Sequence, residues 1–201
     1  MWIDCEMTGL DLGADALIEV AVIVTDYELV PLGEGIDVLI KPPAAALEQM
    51  GDYVRSMHSS SGLLDELDGG LSMAEAQRVV LDHVRSLVPT ARTAQLAGNS
   101  VGTDKAFLAR DMPDLIDYLH YRVVDVSSIK ELAKRWFPRT FFQAPQKQGG
   151  HRALADILES IDELRYYRAV LFPDGEGPSS EECRAIASRI LASPTTAAGR
   201  A

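Results

Sequence analysis

The 201-residue sequence predicts an α/β domain built on a mixed sheet with helices on both faces. Two observations carry that prediction. Three segments rich in Val, Ile and Leu, residues 2–7, 17–26 and 34–41, follow one another across short connections bounded by Gly, Pro and Asp. Short connections favour antiparallel pairing of neighbouring strands. Beyond them, strand and helix patterns alternate, as in the strand–helix units that extend a sheet in parallel.

The elements follow in order. Segment 2–7 (WIDCEM) is apolar except for two acids, and 17–26 and 34–41 are β-branched runs with turn residues at their ends. Ser72-Met73-Ala74-Glu75 then opens a helix to about Val88, with Ser72 as cap and Glu75 reaching back to it. Residues 94–98 read as a strand, 103–111 as a helix, 121–126 as a strand and 128–137 as a helix. A long helix runs from about Arg152 to Leu171. The Pro- and Gly-rich stretch Phe172–Pro178 reads as a connector, which divides the chain into a main domain, 1–172, and a carboxy-terminal addition, 173–201. Ser179-Ser180-Glu181-Glu182 carries a capping-box pattern opening an amphipathic helix to about Leu191, and residues 193–201 are expected to be disordered.

Composition bounds the function. At 47% hydrophobic residues the chain can bury a core without disulfides or structural metal. No apolar run reaches membrane-spanning length and no cleavable signal pattern opens the chain. Cys5 and Cys183 lack metal-ligand spacing, so a reducing, cytoplasmic setting is expected. The net charge of −11 is uneven: residues 1–102 hold 5 Lys/Arg against 16 Asp/Glu, whereas residues 103–152 hold 9 against 6. Proteins that grip long nucleic acid present a broad basic stripe. This chain offers one local basic region, which argues against long DNA.

Within strand 2–7, Asp4 and Glu6 flank Cys5, and side chains at i and i+2 share a face. Carboxylates on a central strand are costly unless they bind something. Asp104 follows the strand and turn Gln95–Gly102, just beyond a strand's carboxyl end, where open α/β sheets place ligands. Its alternative role is to complement a helix dipole. His151 and Asp156 lie five positions apart, about 140° around a helix, so His151 belongs to the Gly149-Gly150 entry and Asp156 to the first turn. A solvated surface histidine is the alternative there. Four carboxylates and one imidazole can hold divalent cations and take a proton from water.

The set Asp4, Glu6, Asp104, His151 and Asp156 resembles the DEDDh 3′→5′ exonucleases, a branch of the ribonuclease H-like fold. Within that branch WIDCEMTGLD, AGNSVGTDKAFLARDMP, LHYRVVDVSSIKELAKRW and HRALADILESIDELRYYR are similar to the oligoribonuclease family, over roughly residues 1–171. One departure is that three residues precede Asp4, fewer than members usually have, which predicts a short first strand. The resemblance implies a five-stranded ribonuclease H-like sheet. It implies two Mg²⁺ or Mn²⁺ ions held by Asp4, Glu6, Asp104 and Asp156, oxygen ligands suiting these hard ions. It makes His151 the general base, neutral at rest.

It further implies a substrate pocket. Leu10 would be an apolar wedge between the last two bases, Tyr53 a stacking aromatic, and His58 a member of the same strip. Ser100 and Ser127 would bind the 5′ phosphate of a very short oligoribonucleotide or dinucleotide. Arg122 and Tyr121, in His120-Tyr121-Arg122, would reach the partner's active site in a homodimer, Tyr121 near its catalytic groups. Core positions for Leu10 and Tyr53, and a surface charge at Arg122, are the plain alternatives. An exonuclease for longer strands would share the metal residues, and a silent binding module would keep only the fold.

Overall fold

Hydrogen-bonded strands β1 (Trp2–Met7), β2 (Leu17–Ile23) and β3 (Ile36–Leu39) open the chain. Helices α1 (Ala44–Glu48), α2 (Asp52–Ser60) and α3 (Leu63–Glu66) follow, then a single 3₁₀ turn and α4 (Met73–Leu87). The second half alternates β4 (Gln95–Gly98), α5 (Gly102–Asp111), α6 (Pro113–Tyr118), β5 (His120–Asp125), α7 (Val126–Trp136) and α8 (Pro138–Phe142). It ends in α9 (Ala153–Leu171) and α10 (Ser180–Ala192). This computed structural model describes residues 1–146, 152–173 and 175–192. His151 and the tail expected to be disordered, 193–201, lie outside the described residues.

The five strands form one sheet in the order β3-β2-β1-β4-β5. β1–β2 and β2–β3 are antiparallel; β1–β4 and β4–β5 are parallel. The predicted mixed sheet is therefore present, with the antiparallel half first. β1 spans six residues, Trp2–Met7. β3 is shorter than the apolar segment 34–41; beyond it the Ile40 amide still donates to the Ile18 carbonyl at 2.9 Å, and Ile40 also bridges Leu71 in parallel. The predicted cap holds as drawn: Ser72 Oγ accepts from the Glu75 amide while Glu75 Oε2 accepts from the Ser72 amide.

Alternation along β1 and β2 assigns two cores. Ile3, Cys5, Met7, Val20 and Val22 pack on one face with α4 and α5, whose Val80, Val84, Phe107 and Leu108 are fully buried. Trp2, Ala21 and Ile23 point to the other face, against Ala153, Ile157 and Ile161 of α9. Asp4 and Glu6 share the Trp2 face by the same period of two. The strand therefore aims both acids at α9.

One ion pair fixes where α9 begins. Glu19 sits in β2 directly opposite Glu6 and is fully buried. Its Oε1 accepts from Arg152 Nε at 2.9 Å, and its Oε2 accepts from the Ala153 amide at 3.0 Å. The first free N–H of the helix is thereby satisfied from the sheet. Arg152 also reaches Glu66 at 3.1 and 3.2 Å, which ties α3 to the same point. Glu19→Ala leaves a partly buried guanidinium and a helix amide without this partner. It is expected to lower stability by about 2 kcal/mol, since removing one member of a buried pair is costly. Urea denaturation measures it, and an unchanged midpoint would contradict the clamp.

Candidate active site

β1 positions two acids because its pairing with β4 is brief. Trp2 lies opposite Ala97, after which the two strands diverge. The Cys5 amide on that side finds a side chain instead: it donates to Asp104 Oδ1 at 3.1 Å. Asp104 lies in the first turn of α5, buried, so it completes the strand's hydrogen bonding and brings a carboxylate beside it. That is more than a dipole-complementing acid does. Burial pushes its carboxyl up to about 6, against the pull of the Cys5 hydrogen bond.

Asp156, in the first turn of α9, completes the convergence. Ligand oxygens of Asp4, Glu6 and Asp156 all lie within 4.8 Å of one another. Asp104 stands next to this trio through Cys5 but is not within that distance of all three. The positive end of α9 faces the trio, and Arg152 lies close enough to Glu6 to favour its charged form. Neither suffices. Burial first, then Asp156, Glu19 and Asp104, push the Glu6 carboxyl up to about 8. Cys5 points into the apolar core on the opposite face, and burial first, then the charges of Asp104, Asp4 and Glu6, hold its thiol well above its usual range.

The sequence-predicted pocket residues fall into three groups. Leu10 and Tyr53 are 76% and 80% exposed, so the core alternative does not hold for either. Ser100 and Ser127 meet: their Oγ atoms are 3.2 Å apart, and the Ser100 amide donates to Ser127 Oγ and to Asp125 Oδ1, each at 3.0 Å. Ser100 adopts a left-handed φ of 51° to do this. Asp125 also accepts from the Ser127 amide at 2.9 Å, capping α7 and joining the two strand–helix turns. Tyr121 and Arg122 lie on the outer strand β5, Tyr121 stacked on His120 at 4.6 Å and Arg122 over the Tyr121 ring at 5.4 Å. Neither joins the carboxylates within one chain.

His58, placed in the same strip as Tyr53, lies deeper than it: the side chain is fully buried in α2. Its Nε2 donates to the Met7 carbonyl at 2.9 Å, and its Nδ1 lies 3.9 Å from Glu6 Oε2. The buried imidazole therefore lies beside Glu6 and is held by the β1 backbone. Two site-shaping residues escaped the sequence reading. Glu19 was signalled as the one charge inside the apolar run LIEVAVI, the criterion that singled out Asp4 and Glu6. Arg152 had no such signal.

A carboxyl raised above its unfolded value binds its proton more tightly in the folded state. Metal-free protein is therefore expected to lose stability as pH rises from about 5 to about 8, as Glu6 ionises in place. Glu6→Gln removes that titration and should flatten the decline, leaving the metal-free variant more stable at pH 8 by a few kcal/mol (on the order of the shift's equivalent). Thermal denaturation across this range in chelator reads both. Parallel declines in the two proteins would contradict it.

The RNase T family of exonucleases matches residues 1–164. The oligoribonuclease of Streptomyces griseus is 61% identical over 192 residues, 96% of either chain. That of Mycobacterium avium is 56% identical over 191 residues, 94% of this chain and 89% of that one. Among solved structures, exonuclease I from Methylocaldum szegediense is similar with a TM-score of 0.59 at 21% identity, covering 85% of this chain. An E. coli exonuclease I–single-stranded DNA complex gives 0.59 at 14% identity. These two are likenesses of fold, and this chain spans 40% of each of those longer chains. A mixed five-stranded sheet, acids gathered at its centre and relatives of this closeness lead to one assignment: the chain belongs to the oligoribonuclease family of 3′→5′ exoribonucleases.

Proposed function

We propose that this exoribonuclease acts on very short oligoribonucleotides, dinucleotides above all, and releases nucleoside 5′-monophosphates with the aid of two divalent cations. The observation that carries the reading is the convergence of Asp4, Glu6 and Asp156 within 4.8 Å. A centre whose Glu6 is pushed up to about 8 holds more carboxylate than it can keep ionised alone, and an all-oxygen donor set fits Mg²⁺ or Mn²⁺. Asp4, Glu6 and Asp156 would hold one ion, with Asp104 contributing to the second. Bound there, the ions supply Lewis-acid activation of water and charge neutralisation at the leaving 3′-oxygen.

The chain's own residues do the rest. His151, next to the clamped Arg152, accepts the proton of the attacking water as general base. Leu10 separates the last two bases and Tyr53 stacks on one of them, both with free apolar faces. Ser100 and Ser127 receive the 5′ phosphate with their hydroxyls. Arg122 and Tyr121 complete that cap in the partner's active site, which makes the homodimer the working unit. The surface around β5 supports this, since Tyr121, Val123, Val124, Leu132, Trp136 and Phe137 are all exposed on or beside an edge strand. Among the described residues no helix is long and apolar enough to cross a membrane.

A cap that closes on the first phosphate excludes the next one. Specificity constants on a 5′-phosphorylated dinucleotide are therefore expected to exceed those on a twenty-mer by about 100-fold. Initial rates in Mn²⁺ measure the ratio. Equal or faster cleavage of the twenty-mer would replace this reading with an exonuclease for longer strands.

A further inference from the structure

The loop that carries Leu10, Thr8–Ala16, is ordered by its own polar groups. Thr8 Oγ donates to Asp15 Oδ1 at 2.9 Å and accepts from the Ala16 amide at 3.0 Å. Asp15 Oδ2 accepts from the Asp11 amide at 2.9 Å, and Asp11 Oδ1 from the Gly13 amide at 2.8 Å. Packing is close enough that a Cβ on Gly9 would collide with the Asp15 carboxylate. These bonds fix the loop's shape. They do not fix where it stands relative to the carboxylates.

Gln49 Nε2, just past α1, holds the Ala14 carbonyl from one side, and Arg110 ties the loop to α5, the helix that carries Asp104. From the last turn of α5 its Nη1 donates to the Leu12 carbonyl and its Nη2 to the Asp15 carbonyl, at 2.9 Å for the latter. The guanidinium is itself held. Asp111 takes Nε and Nη2 in a fork at 2.8 and 2.6 Å, and the fully buried Phe107 ring lies beneath it at 4.9 Å. The same helix carries Asp104 in its first turn, bound to the β1 backbone at Cys5. One short rigid element thus grips the catalytic strand at one end and the Leu10 loop at the other.

We propose that Arg110 is a positioning residue for base recognition: by tying the Leu12 and Asp15 carbonyls to α5, it sets the distance between the Leu10 wedge and the carboxylates that face the scissile phosphate. Arg110 touches neither bases nor metal ligands. The proposal rests on the reading of Leu10 as a wedge. An apolar side chain that is 76% exposed can hold neighbouring bases apart only if its support is already in place, because a mobile loop must be ordered at the moment of binding. A planar fork can satisfy two carbonyls and a carboxylate together, whereas a lysine amine cannot reproduce that geometry.

The test uses the Mn²⁺-loaded full chain, with Arg110→Ala, Arg110→Lys, Leu10→Ala and the double variant Leu10→Ala/Arg110→Ala. Substrates are a 5′-phosphorylated dinucleotide and p-nitrophenyl thymidine 5′-monophosphate, which has one base and nothing to wedge apart. Arg110→Ala should raise KM for the dinucleotide about tenfold with kcat changed less than about twofold, and leave the single-base ester nearly unchanged. Arg110→Lys should recover some of the loss. In the Leu10→Ala background the arginine change should add little, because both act through one contact. Equal losses on both substrates, or additive losses in the double variant, would overturn the positioning role. If Leu10→Ala raises KM and Arg110→Ala does not, the inference alone fails. If Leu10→Ala itself leaves the dinucleotide KM unchanged, the wedge reading fails and takes the inference with it.

Discussion

Mutual repulsion among crowded carboxylates governs the end of this sheet where Asp4, Glu6 and Asp156 converge. Glu6 stands opposite Glu19 across the β1–β2 ladder, within reach of Asp156 and near Asp104. Like charges placed directly opposite on a sheet are destabilising, and burial removes the water that would screen them. Much of the surrounding architecture lessens that cost. The amino terminus of α9 presents its positive end, Arg152 takes one oxygen of Glu19 and the Ala153 amide takes the other. Asp104 accepts from the Cys5 backbone. What remains uncompensated appears as the raised Glu6 carboxyl, and it is the strongest physical reason to expect cations there.

The same constraint calls for firm supports around the cluster. A carboxylate cluster forced together without cations would separate if its supports gave way. Its three supports are a central strand, the first turn of a 19-residue helix and a helix start hydrogen-bonded to the strand. His58 adds a fourth from behind, anchoring α2 to the Met7 carbonyl. The residues proposed for the substrate pocket stand on different footing. Leu10 and Tyr53 project from a short loop and a solvent-facing helix, where rigidity must come from hydrogen bonds such as those of Asp15 and Arg110 rather than from burial. Sites that store electrostatic cost commonly give up stability for function, and in this chain the stored cost is greatest at Glu6.

Much of this was legible in the amino-acid order, and the exceptions have physical causes. Asp4 and Glu6 could be placed on one face from the period of a strand alone, and Ser72 with Glu75 announced its helix start through a reciprocal pair of bonds. Segment 42–71 gave no comparable signal. Its α2, DYVRSMHSS, is serine-rich and mostly exposed, and the ring of His58 on a distant carbonyl helps hold it, a contact that local periodicity does not encode. The depth of His58 was hidden for the same reason. Glu19 was readable by the logic already applied to β1, since a lone charge in an apolar run requires a partner. That partner, Arg152, is 133 residues away and became visible only when the sheet and α9 came together.

The most direct test of the carboxylate centre is calorimetric titration of the metal-free protein with Mn²⁺ at pH 7, repeated in buffers of different ionisation enthalpy. Cation binding at a site whose Glu6 carboxyl sits near 8 must displace the proton it holds. Release of about one proton per chain is expected, and most of it should vanish in Glu6→Gln. Binding with no proton release would mean that Glu6 is already ionised among its neighbours, and would contradict a centre defined by their crowding.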